Sequence, residues 1–218
     1  MATPQIKICG ISDAETAMIC ADLGVDAIGL VFYPQSPRNV SVDQAAEISR
    51  SVSGRLQTVG LFVDETYDTV MRHVEGCGLT AVQLHGVETP EMVARLVDHK
   101  VRVIKALFQV REPQFAAAAT YAAHGYLLEC GRSLLPGGNA ETWNWQTAMD
   151  VARKHPVILA GGLAPDNVGP AIVQAAPDAV DVSSGVESTP GVKDHDKIRL
   201  FVEAVATADV GRPLRRIF

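Results

Sequence analysis

Eight short apolar runs alternate with amphipathic helical patterns from one end of this chain to the other. The runs are Gln5 to Cys9, Asp26 to Phe32, Leu56 to Val63, Ala81 to His85, Val101 to Leu107, Gly125 to Glu129, Pro156 to Ala160 and Ala179 to Val182. Helical stretches such as Asp13 to Leu23, Val42 to Ser51, Thr89 to Asp98 and Asn167 to Ala175 lie between them, and Lys193 to Ala206 brings the helical count to eight. Such alternation predicts repeated βα units on a parallel sheet. An open sheet of eight strands would expose its edges, whereas closure removes them. The rival, a doubly wound open sheet, wants a glycine-rich dinucleotide loop after its first strand; KICGISD has one glycine and no G-x-G-x-x-G. The expected fold class is therefore α/β, a single (β/α)8 TIM barrel over residues 1–208. Residues 209–218 carry three arginines and a final Ile-Phe. They are expected to form a flexible tail, with docking under the barrel or onto a second subunit as the alternative.

Several classes of function fall away at this stage. A net charge of -6 argues against a nucleic-acid partner, because phosphate backbones call for clustered Lys and Arg. No apolar run approaches a membrane span, and the first ten residues contain no apolar signal region. Cys9, Cys20, Cys77 and Cys130 have neither C-x-x-C nor metal-ligand spacing, which reads as free thiols in the cytoplasm. No metal site is expected from these spacings.

In a barrel the C-terminal ends of the strands converge on one mouth, so polar residues there are the candidates for chemistry. Pro156 to Gly191 contains two successive strand exits made of small residues: Gly161 and Gly162 after the seventh run, and Ser183, Ser184 and Gly185 after the eighth. Backbone amides at such exits point at anions, and the paired exits suit a phosphate monoester; the alternative is that the glycines only permit tight turns. Cys9 ends the first run, with Lys7 on the same face one layer below. It reads either as a base or nucleophile whose thiolate a cation favours, or as a small buried thiol. Glu129 ends the sixth run across the mouth and reads as an acid facing that thiol, or as half of an ion pair with Lys105 or Arg132. Arg38, on the long second loop, can take a carboxylate in bidentate fashion or sit solvated. Asp181 can accept from sugar hydroxyls or play a structural part. His85 can orient a substrate or satisfy a loop carbonyl, and Asp64 reads as a helix cap.

Taken together, KICG at Lys7 to Gly10, GLVFYPQSPRNV at Gly29 to Val40, VGLFVD at Val59 to Asp64, VQLHG at Val82 to Gly86, LAGGLAPDNV at Leu159 to Val168 and VDVSSGVESTPGVKD at Val180 to Asp194 resemble the phosphoribosylanthranilate isomerases of tryptophan biosynthesis. The resemblance spans nearly the whole chain. It implies a (β/α)8 barrel without metal or cofactor, converting N-(5-phosphoribosyl)anthranilate to 1-(2-carboxyphenylamino)-1-deoxyribulose 5-phosphate by an Amadori rearrangement, as a monomer or homodimer. It implies Cys9 as general base, Glu129 as general acid, and Lys7, Arg38, His85 and Asp181 as substrate-binding residues. Arg38 would hold the anthranilate carboxylate, and Gly161, Gly162, Ser183, Ser184 and Gly185 the phosphate. Two departures stand out. Glu129 replaces the family's usual aspartate, and Ala140, Trp143 and Asn144 replace glycine, phenylalanine and aspartate in the loop that follows. These leave two other readings open: a related barrel isomerase acting on a different phosphoribosylamine or phosphosugar, and a silent binder of phosphate ligands.

Overall fold

The computed structural model describes residues 2–132 and 142–218. Eight parallel strands close into a barrel in sequence order, β1 pairing with β8: β1 (Gln5–Cys9), β2 (Ala27–Phe32), β3 (Gln57–Phe62), β4 (Ala81–Leu84), β5 (Arg102–Phe108), β6 (Gly125–Glu129), β7 (Val157–Leu159) and β8 (Ala179–Val182). Seven α-helices are described: α1 (Ala14–Asp22), α2 (Val42–Ser51), α3 (Tyr67–Cys77), α4 (Pro90–Asp98), α5 (Met149–Ala152), α6 (Val168–Ala175) and α7 (His195–Ala206). A short hairpin, β9 (Glu187–Thr189) with β10 (Val192–Lys193), rises from the loop after β8.

Local chemistry explains where the helices begin. Asp13, Thr66, Thr89 and Asp194 each accept a first-turn amide, and Ser41 forms a reciprocal capping box with Gln44. These contacts satisfy amides that a helix start leaves without partners. The expected count of eight helices needs correction. Between β5 and β6 the alanine-rich Phe115–Thr120 forms only a 3-10 segment, and after β6 another 3-10 turn, Trp145–Ala148, leads into the four-residue α5. FAAAAT has the propensity of a helix but no apolar stripe long enough to anchor one against the barrel.

Alternation along each strand sorts the side chains. Ile6 and Ile8 of β1 face the helices in one apolar cluster, while Ala27, Val59, Ala81, Ile104, Leu127, Ile158 and Ala179 fill the barrel. The interior residues near the strand starts are small: Ala27, Ala81 and Ala179, with Gly125 beside them. Ile217 and Phe218 fill the space they leave. The carbonyl of Ile217 accepts from Arg102 Nη1 at 2.6 Å, and Gln5 accepts the Ile217 amide at 2.7 Å and donates to the Phe218 carbonyl at 3.0 Å. Arg212 and Arg215 meet at the buried Asp178, at 2.8 and 3.3 Å. Residues 209–218, expected to be flexible, are thus packed onto the barrel floor. The physical reason is a hole that small strand residues open and two large apolar side chains close.

Candidate active site

At the opposite end the strand exits enclose a cleft. Cys9, Arg38, His85, Glu129, Gly161, Gly162, Asp181, Ser183 and Ser184 all line it. The C-terminal ends of β1, β4, β6 and β8, the exit from β7 and the loop after β2 therefore meet at one mouth.

Cys9 ends β1, and its neighbour on β2 is Gly29, where a Cβ would lie 2.7 Å from the Cys9 sulfur. Glycine at that register position makes room for the thiol. One layer below, Lys7 is fully buried and donates to Asp181 Oδ2 at 2.9 Å. It does not line the cleft, so its part is to hold Asp181 rather than to touch a ligand. Burial opposes the Lys7 ammonium, but the facing Asp181 and Cys9 outweigh it and hold its pKa above the ordinary value. At Asp181 burial wins over the pull of Lys7 and raises the carboxyl. The second oxygen, Asp181 Oδ1, is buried without a hydrogen-bond partner among the described residues. A buried acceptor left in that state is suited to a ligand hydroxyl or amine. Burial also pushes the Cys9 thiol up; Lys7 and Lys193 pull against it without winning. Lys7 does favour the Cys9 thiolate, as expected, but desolvation of the anion is the larger effect.

Across the mouth, His85 Nε2 lies 3.3 Å from Glu129 Oε1, and His85 Nδ1 lies 2.9 Å from Gln83 Nε2. With Gln83 donating, the imidazole proton sits on Nε2 and points at Glu129. The partner of Glu129 is thus His85, not Lys105 or Arg132; Lys105 is held by Glu88 at 2.9 Å. Burial works to raise the Glu129 carboxyl, but His85, Arg111 and Lys7 together outweigh it and hold the group below its ordinary value. Arg111, which sequence reasoning missed, lies 3.4 Å over the Phe108 ring.

Gly161 and Gly162 adopt φ of 85° and 70°, conformations that suit glycine. Asn167 fixes their turn by donating to the Gly162 carbonyl and accepting from the Ala164 amide, both at 2.8 Å. Gly185 stands where any Cβ would run into the Leu163 carbonyl, so the β8 exit can close against the β7 exit. Gly185 itself does not line the cleft. Among the described residues the amides of Gly161, Gly162, Ser184 and Gly185 have no protein acceptor. Ser183 donates its hydroxyl to the Cys9 carbonyl at 3.0 Å and so ties β8 to β1. Asp64 accepts from the Val87 amide at 2.6 Å, bracing the loop after β4 and not capping a helix, whose cap is Thr66.

Arg38 does not sit solvated. Its Nε and Nη2 both donate to Glu187, each at 2.7 Å, and Lys193 donates to the same carboxylate at 2.8 Å. Glu187 and Lys193 were not among the sequence candidates, although both lie in the motif that carried Asp181; nothing in their spacing pointed to the β2 loop. In the altered loop after β6, Trp143 donates its indole N–H to the Ala160 carbonyl at 2.9 Å, and Asn144 accepts from the Gln146 amide at 3.3 Å. Ala140 lies outside the described residues.

The family model for N-(5'-phosphoribosyl)anthranilate isomerase matches residues 6–204. A protein of Desulfatibacillum aliphaticivorans with that name is 48% identical over 98% of both chains. The crystal structure of phosphoribosyl anthranilate isomerase from Thermotoga maritima superposes with a TM-score of 0.85 at 37% identity, covering 93% of this chain and 98% of that one. A phosphoribosyl anthranilate isomerase solved in complex with reduced 1-(o-carboxyphenylamino)-1-deoxyribulose 5-phosphate gives 0.82 at 36% identity, with the same coverage. The chain belongs to the N-(5'-phosphoribosyl)anthranilate isomerase family.

Proposed function

We propose that the chain isomerises N-(5-phosphoribosyl)anthranilate to 1-(2-carboxyphenylamino)-1-deoxyribulose 5-phosphate in tryptophan biosynthesis, with Cys9 as base and Glu129 as acid. The observation that supports it most is that a thiol, a carboxyl and two sets of amides without an acceptor among the described residues line or border one cleft. The amides of Gly161, Gly162, Ser184 and Gly185 hold the phosphate. Asp181 Oδ1 accepts from the sugar hydroxyls or the amine, and Arg38 takes the anthranilate carboxylate.

Glu129 gives its proton to the furanose ring oxygen as the bond from that oxygen to C1 breaks, and the nitrogen lone pair forms a C1 iminium. The electron-poor C1 acidifies the C2 proton, which Cys9 removes; the C2–H electron pair becomes a C1–C2 double bond, and tautomerisation yields the ketone. Held below its ordinary value by its neighbours, Glu129 gains a proton as the bound substrate brings negative charge and displaces water, both of which raise a carboxyl. The iminium in turn supplies the positive charge that Cys9 lacks before ring opening. Free thiols at Cys9, Cys20, Cys77 and Cys130 suit the cytoplasm, where the chain acts alone or as a homodimer.

Loss of phosphoribosylanthranilate fluorescence with purified protein tests the reading. Turnover is expected. Its absence alongside tight binding of the reduced product analogue would favour a silent binder, and the absence of both a different phosphosugar. Glu129→Asp is expected to keep or raise kcat, because it restores the family's shorter acid; a large loss would remove Glu129 from the acid role.

A further inference from the structure

The Arg38 guanidinium presents two edges, and the protein already occupies one. Glu187 accepts from Nε and Nη2 in a bidentate pair, whereas Nη1 has no partner among the described residues. A one-to-one pair would leave Arg38 little net charge with which to attract a second carboxylate. Lys193 changes that balance. Its side chain is almost wholly buried, and it donates to Glu187 Oε1 at 2.8 Å, to the Ser183 carbonyl at 3.0 Å and to the Ser183 hydroxyl at 3.4 Å. Two cations then share one anion, and the cluster, of which Arg38 lines the cleft, carries one positive charge in excess. Arg38 and Lys193 hydrogen bonds outweigh burial at Glu187 and hold its carboxyl below the ordinary range, so the anion persists.

The backbone fits this clasp. Gly191, between β9 and β10, has φ of 86°, and a Cβ there would lie 2.7 Å from the Pro37 carbonyl. The hairpin and the β2 loop can meet at this closeness only through glycine. Lys197 adds a bond to the Glu187 carbonyl at 2.7 Å. The hairpin therefore has a definite purpose beside the arginine: it carries the counter-carboxylate and the lysine that offsets it.

We infer that Glu187 and Lys193 are positioning residues that set specificity for a carboxylated aryl group. Glu187 fixes the Arg38 plane so that Nη1 meets the incoming carboxylate, and Lys193 keeps Glu187 from neutralising it. This rests on the proposed role of Arg38 as the carboxylate clamp, and the experiment separates the two. Calorimetry would measure the affinity of the reduced product analogue and of the same molecule lacking the ring carboxylate, for the intact protein, Arg38→Met, Lys193→Met, Lys193→Gln and Glu187→Gln. Wild-type protein is expected to prefer the carboxylated analogue. Both lysine variants should lower that preference about tenfold, the scale of one lost charge-assisted contact, by weakening only the carboxylated ligand. Glu187→Gln should also lower it, through loss of orientation, despite the added net positive charge. Equal loss of both ligands, or an unchanged preference in the Lys193 and Glu187 variants, overturns the inference while leaving the clamp intact if Arg38→Met abolishes the preference. An unchanged preference in Arg38→Met overturns the clamp itself.

Discussion

Cys9→Ala is expected to lower kcat by about 10²–10⁴-fold, the usual contribution of a positioned general base, while binding of the reduced product analogue stays within a few-fold of wild type. The sulfur lines the cleft but bonds to none of the groups proposed to hold phosphate, carboxylate or sugar hydroxyls, so its removal takes away proton transfer and little else. Cys9→Ser should be nearly as poor, since a hydroxyl ionises far less readily than a thiol. Glu129→Gln should match this loss by a different route, keeping the shape and a hydrogen bond toward His85 but having no proton to give. Stopped-flow fluorescence of phosphoribosylanthranilate checks both. Turnover by Cys9→Ala within tenfold of wild type would remove the thiol from the mechanism. A rise in KM with unchanged kcat would instead make it a binding group.

The second large effect concerns stability. Phe218→Ala should cost about 3–5 kcal/mol, and Ile217→Ala about 2–5 kcal/mol, the ranges for truncating large buried side chains. Around them Ala27, Ala81, Ala179 and Gly125 have no side-chain length with which to collapse into the void. Those residues lie at the strand starts, away from the cleft. The expected pattern is a lower urea midpoint with an unchanged slope, and near-normal kcat where the variant remains folded. A loss below about 1 kcal/mol would mean that the segment merely rests on the barrel, since ordinary surface changes stay within about half that figure.

The barrel was legible because apolar runs such as Gln5–Cys9 and Gly125–Glu129 end where small residues or loops begin, so periodicity and punctuation agree. Candidate residues at strand ends were legible for a related reason: once the strands close, Cys9, His85, Glu129 and Asp181 have only one place to converge. What remained hidden depended on contacts between distant segments. Nothing in FAAAAT says that its helix stops at 3-10 geometry. Nothing local says that Ile217 and Phe218 enter the barrel, although three inward alanines and a glycine at strand starts imply a space that something must fill. The clasp on Arg38 lies 149 residues along the chain in Glu187, beyond any spacing rule. Protonation was least legible of all. Cys9 was read from Lys7, and Glu129 from burial or from Lys105 or Arg132, whereas their balance is set by burial against several charges.

The bond from Lys7 to Asp181 spans 174 residues of sequence, and the Ser183 bond to the Cys9 carbonyl spans as many. The thiol is therefore set in place only when the first and eighth strands meet. Such distant pairings come slowly in folding, because the loop they close is long and its entropy must be lost first. During refolding, regained helical signal should precede regained turnover, and the interval between them times the closing of the ring.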